Sequence, residues 1–122
     1  MEKLTALIVD QSPAILHGLE SILRGSPDIQ VVGTAASGVE AIDQAERLRP
    51  DVVLLDVRLR GIDAAEATRR IKKRSPESRV VFMVVHMDDI DAATEAGADG
   101  HVVKDSSHGE LVQVIRRVVT PR

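Results

Sequence analysis

At 122 residues, with 43% hydrophobic and 29% charged side chains, the chain is sized and composed for one folded domain and not for a disordered segment. A net charge of -3 and a single aromatic residue, Phe82, argue against the basic footprint of a nucleic-acid binder and against ring platforms for bases or flavin. There is no Cys, hence no disulfide or thiolate metal site, and no apolar run approaches the ~20 residues that span a bilayer.

Met1-Glu2-Lys3 leads directly into the apolar run Leu4–Val9. That run is too short and wrongly flanked for a signal peptide, so the cytoplasm is the expected compartment. Leu4–Val9 reads as a first strand covered on both faces. Ser12 offers an N-cap and Pro13 a first helical position, and Leu16, Leu19, Ile22 and Leu23 fall on one face of the helix that follows. Gly25-Ser26-Pro27 stops it. Ile29–Ala35 is a second strand. Ser37-Gly38-Val39-Glu40 has the form of a capping box opening a helix to about Leu48, and residues 51–56 form a third buried strand after Pro50.

Asp63-Ala64-Ala65-Glu66 repeats the capping logic and opens a helix ending in Lys72-Lys73-Arg74, cations that suit a helix C-terminus and read as a solvated end. Residues 79–85 form a fourth strand, 89–96 a short helix closed by Gly97, and 100–104 a fifth strand. Ser107-His108-Gly109-Glu110 is a further capping box, whose helix buries Leu111, Val112, Ile115, Val118 and Val119 before Pro121. Strict alternation predicts an α/β fold of the flavodoxin-like, doubly wound (βα)5 kind, a five-stranded parallel sheet with helices on both faces. In such sheets ligands collect beyond the carboxyl ends of the strands, where strand order reverses.

Three charges stand at such ends. Asp10 closes the first strand, Asp56 the third and Lys104 the fifth. A carboxylate can serve as nucleophile and become an aspartyl phosphate. A second carboxylate can help hold Mg2+, and a lysine can present a point charge to phosphoryl oxygens. The bland reading of any single strand-end Asp is an acceptor for loop N–H groups, and the three together point to phosphoryl chemistry.

The stretches Ile8-Val9-Asp10, Pro27-Asp28-Ile29-Gln30-Val31-Val32-Gly33 and Arg49-Pro50-Asp51-Val52-Val53-Leu54-Leu55-Asp56 carry a family resemblance. Glu66-Ala67-Thr68-Arg69-Arg70-Ile71, Ala96-Gly97-Ala98-Asp99-Gly100 and Lys104-Asp105-Ser106-Ser107 continue it. In this order and spacing the chain resembles, over essentially residues 1–122, a response-regulator receiver of the NarL/FixJ subfamily. The resemblance implies that Asp56 is the phosphoacceptor for a sensor histidine kinase and that Lys104 contacts the phosphoryl group. It implies Mg2+ held by Asp10, Asp56 and the backbone carbonyl of Arg58, a candidate homodimer, and a signalling domain rather than a dedicated enzyme.

Departures from the family pattern matter as much. The second of two adjacent acids is here Gln11, a neutral donor that makes a weak or lost metal ligand. The Thr or Ser expected at the end of the fourth strand is Val84, and the aromatic switch residue expected on the fifth is His101, which reads as an ordinary edge residue. The segment from His86 to Gly97 is about two residues shorter than the family pattern. Arg60 replaces a common Pro before Gly61. Arg58 and Arg60 suggest two readings, a guanidinium substituting for metal charge at the acids or a pair of solvent-facing loop arginines.

Two functions follow from the retained and the altered residues. The first is a receiver that accepts a phosphoryl group at Asp56 with an impaired metal site and switch. The second is a phosphorylation-independent interaction module on the same fold. A flavin binder lacks its Trp or Tyr, and Asp56-Val57-Arg58 lacks the second acid of a haloacid-dehalogenase-type phosphatase. The subfamily often carries a C-terminal helix-turn-helix domain, which a full-length form could add; these residues account for no nucleic-acid or membrane binding.

Overall fold

The computed structural model describes residues 3–85, 88–104 and 108–119. The elements alternate as β1 (Leu4–Val9), α1 (Pro13–Arg24), β2 (Ile29–Ala35), α2 (Gly38–Leu48), β3 (Val52–Asp56), α3 (Ala64–Arg74), β4 (Arg79–Val84), α4 (Asp89–Glu95), β5 (Gly100–Val103) and α5 (His108–Val119). All strand pairings are parallel and the order is β2-β1-β3-β4-β5, the doubly wound arrangement expected from the alternation.

β3 is buried along its whole length, because helices cover both faces of the sheet. One face packs Ala6, Ile8, Val52, Leu54, Val81 and Met83 under α1 and α5. The other packs Leu7, Val9, Val53, Leu55, Phe82 and Val84 under α2, α3 and α4. Period-two alternation thus divides an unbroken apolar run between two cores. Phe82 lies in the second core at 1% exposure. Truncating such a side chain costs about 3–5 kcal/mol.

Local signals act largely as read. The Ser12 hydroxyl accepts from the Ile15 N–H, and Pro13 occupies the first helical turn of α1. Ser37 and Asp63 cap α2 and α3 by accepting from the N–H groups of Glu40 and Glu66. The reciprocal half of each box differs. The Glu40 carboxylate accepts from the Ala36 N–H, one residue earlier than expected, and Glu66 instead pairs with Arg69 and Arg70. Arg49, at φ 46, ends α2 in a left-handed conformation where glycine was not available. Gly97 takes φ +86 after α4, as its C′ role requires. Strands β4 and β5 each end one residue sooner than the sequence reading, leaving Val85 and Lys104 just beyond the sheet, and α4 ends at Glu95 rather than Ala96. The box begun by Ser107 and the stop at Pro121 lie outside the described residues.

Candidate phosphoacceptor cleft

β1 is an interior strand, with β2 on one side and β3 on the other, so the strand order reverses between β1 and β3. The two acids stand there. Asp10 follows β1 and extends its ladder, its N–H donating to Ala35 O at 3.0 Å. Its Oδ1 accepts from the Ser12 N–H at 3.0 Å, so the turn that starts α1 also orients this carboxylate. Asp56 is the last residue of β3, and its Oδ1 accepts from the Arg58 N–H at 3.0 Å. Val57, between them, donates its N–H to Met83 O at 3.2 Å and ties the loop to β4. Asp10 and Asp56 are 1% and 2% exposed, unusual burial for carboxylates without full compensation.

Lys104 supplies the opposing charge. Its N–H donates to Val84 O at 2.8 Å, which fixes the backbone at the exit of β5. Its Nζ lies 2.7 Å from Asp10 Oδ2 and 3.2 Å from Asp56 Oδ1. The three strand ends are not consecutive neighbours: β4 stands between β3 and β5, and the long lysine side chain reaches over its end. One ammonium therefore serves two buried carboxylates and leaves a formal charge of about -1 in a low-dielectric cleft. Asp10 Oδ2 is fully buried and has the ammonium as ionic partner, but no well-aligned hydrogen-bond donor among the described residues. Its lone pairs remain open to an oxygen-seeking cation.

The arginines after Asp56 do not fill that role. Arg58 Nη2 lies 3.5 Å from Asp89 Oδ2, at the first residue of α4, and Arg60 is exposed. Among the described residues the cation at Asp10 and Asp56 is Lys104, so the reading of a guanidinium at the acids is not met. Gln11, beside Asp10, is exposed. Val84 is completely buried in the core under α2, α3 and α4, and His101 is exposed on the edge strand β5. Asp89, which the sequence did not single out, is brought beside the loop after Asp56. An acid in the first turn of a helix is ordinary dipole complementation, so nothing marked it.

Residues 6–116 match the family of response regulator receiver domains. The chain belongs to that family. The receiver is 33% identical over 118 residues to the nitrate/nitrite response regulator protein NarL of Escherichia coli, covering 95% of this chain and 55% of that protein. It thus spans about half the length of the curated relatives it matches. Among solved structures it superposes on the signal receiver domain of the response regulator NarL from Mycobacterium tuberculosis with TM-score 0.92, 29% identity and full coverage of both chains. The receiver domain of a sensor histidine kinase from Pseudomonas aeruginosa, solved with a magnesium ion coordinated in its active-site cleft, matches at TM-score 0.85 and 26% identity, with coverage of 96% and 98%. The flavodoxin-like architecture is shared by these receivers, and the family is a signalling family of two-component systems. No helix of the described residues is long and apolar enough to cross a membrane.

Proposed function

We propose that the receiver accepts a phosphoryl group on Asp56 from a phosphorylated histidine of a sensor kinase, with Lys104 as its electrostatic partner. The observation that carries this reading is the buried Asp56 carboxylate at the strand-order reversal, sharing one ammonium with Asp10. An Asp56 oxygen attacks phosphorus, the P–N bond to the donor imidazole breaks, and the released ring nitrogen takes a proton. As charge builds on the equatorial oxygens, Lys104 Nζ, already 3.2 Å from Asp56 Oδ1, is placed to move onto them.

The donor set fits Mg2+, a hard cation with oxygen ligands, though with fewer charges than the family pattern. Asp10 Oδ2, Asp56 and the backbone carbonyl of Arg58 would hold it, with the Gln11 amide oxygen as a weak or absent fourth. Bound there, the ion would offset charge on the transferring group. Two features support weakened binding. Gln11 brings no charge, and Lys104 must yield its place at Asp10 Oδ2. Outer-shell losses alone cost ~10–100-fold in affinity, so loss of a charged ligand costs at least as much.

A second reading, a phosphorylation-independent interaction module, has specific support. Val84 has no hydroxyl to bond a phosphoryl oxygen, and His101 is no aromatic lever. Intact-mass measurement after treatment with acetyl phosphate, with and without Mg2+, separates the two. Incorporation lost in Asp56→Asn supports the acceptor; none in the parent protein gives the interaction module the lead. The cytoplasmic setting, a kinase partner, and any homodimer or further DNA-binding domain of the longer relatives belong to this proposal.

A further inference from the structure

Residue 58 touches both the acceptor and the fourth helix. Its N–H donates to Asp56 Oδ1 at 3.0 Å, while its guanidinium lies 3.5 Å from Asp89 Oδ2 at the start of α4. Among the described residues Asp89 Oδ2 is a buried atom with no hydrogen-bond donor, and its ionic partner is this guanidinium. Arg58 itself is 55% exposed and free to change rotamer, whereas the Asp89 side chain is only 23% exposed. The pair bridges two elements that a receiver with Val84 and His101 would otherwise leave poorly coupled.

From this geometry we infer that Asp89 is a positioning residue that holds Arg58 away from the acceptor, and that Arg58 transfers to the phosphoryl group when Asp56 is modified. The inference rests on Asp56 being the acceptor. A phosphoryl group brings close to two negative charges and three strong acceptors beside the backbone of residue 58. The guanidinium favours it over a single carboxylate and can bond it in a fork. Its departure strands Asp89 Oδ2, a half-buried charge with no donor, and the start of α4 must open to hydrate it. The two states then differ in contacts at both sites, which is what coupling requires. No hydroxyl at position 84 and no aromatic ring at 101 is needed.

The test separates the charge of residue 89 from its shape. Amide NMR shifts of Val52–Asp56 report the acceptor and those of Asp89–Glu95 report α4, before and after beryllofluoride with Mg2+, in the parent protein, Asp89→Asn and Asp89→Glu. In the parent both groups should move. In Asp89→Asn, which keeps the shape, the β3 response should persist while the α4 response falls to roughly half or less, the scale of a partly exposed ion pair. Asp89→Glu, which keeps the charge, should restore it. An α4 response in Asp89→Asn equal to the parent's overturns the inference, as does a β3 response in the parent without movement of α4. Either result leaves Asp56 as acceptor intact. No response of β3 removes the acceptor reading and this inference together.

Discussion

Both ends of the sheet gather aspartates, and they do opposite things there. At the amino ends, Asp28 precedes β2, Asp51 precedes β3 and Asp99 precedes β5. Asp51 Oδ2 accepts from the Thr5 N–H at 2.8 Å and the Thr5 hydroxyl at 3.2 Å, and the Asp51 N–H returns a bond to that hydroxyl at 2.9 Å. Asp99 Oδ2 accepts from the Val80 N–H at 2.8 Å and Lys72 Nζ at 2.7 Å. Asp28 meets Arg116 through two bonds of 2.8 Å. At the carboxyl ends, Asp10 and Asp56 are more deeply buried yet share one lysine, and among the described residues Asp10 Oδ2 has no aligned donor. An aspartate at a strand end is therefore no functional mark by itself. The mark is burial in excess of the donors supplied.

The comparison breaks first, and most completely, at Asp56. Asp56→Asn should abolish phosphate incorporation read by intact mass, while Asp51→Ala and Asp99→Ala should leave it in place. The reverse effect belongs to the amino end. Asp99→Ala leaves the Val80 N–H and Lys72 without their acceptor and should destabilise the fold by about 1–3 kcal/mol in urea unfolding. Asp56→Asn should not, because Lys104 keeps Asp10 at 2.7 Å.

Adding an acid sharpens the contrast from the other side. Gln11→Asp should raise Mg2+ affinity at least about tenfold by calorimetry. Without Mg2+ it should lower stability through like-charge repulsion, and Mg2+ should restore it by binding the folded state. Adding Val84→Thr should then strengthen the conformational response to modification, provided the new hydroxyl finds a partner in the resting core.

The smallest effect concerns Asp28. Its hydrogen bond to Arg116 holds the carboxyl below the ordinary value of 3.8, and Arg116 is correspondingly raised. A depressed folded value means that the contribution is present above pH ~3.8 and is lost as pH falls through the folded-state pKa. Asp28→Asn should remove that slight slope from the acid limb of urea unfolding curves, and because the pair is exposed, high salt should mask the difference.

The alternation of apolar runs and helical periods was enough for the architecture, since covered parallel strands must be apolar on both faces and their connections must be helices. The caps at Ser12, Ser37 and Asp63 were equally legible, because a cap is a bond between residues three apart in the chain. The glutamates of the boxes at Ser37 and Asp63 were not, as Glu40 reached the Ala36 N–H and Glu66 found arginines on its own helix.

For the site, the chain by itself determined which charges stand at strand ends: Asp10, Asp56 and Lys104, with Gln11, Val84 and His101 as departures. Tertiary structure decided their arrangement. The placement of β5 beyond β4 sends Lys104 across a strand to serve both acids, a consequence of strand order and side-chain length that spacing along the sequence does not carry. It likewise set the fate of Arg58, which pairs with a residue 31 positions away because α4 packs beside the loop after β3. Local preferences are written in neighbouring residues and survive in a one-dimensional reading. Partners of long charged side chains are settled by whichever counter-charge the packed elements bring within reach, and only the folded chain brings them.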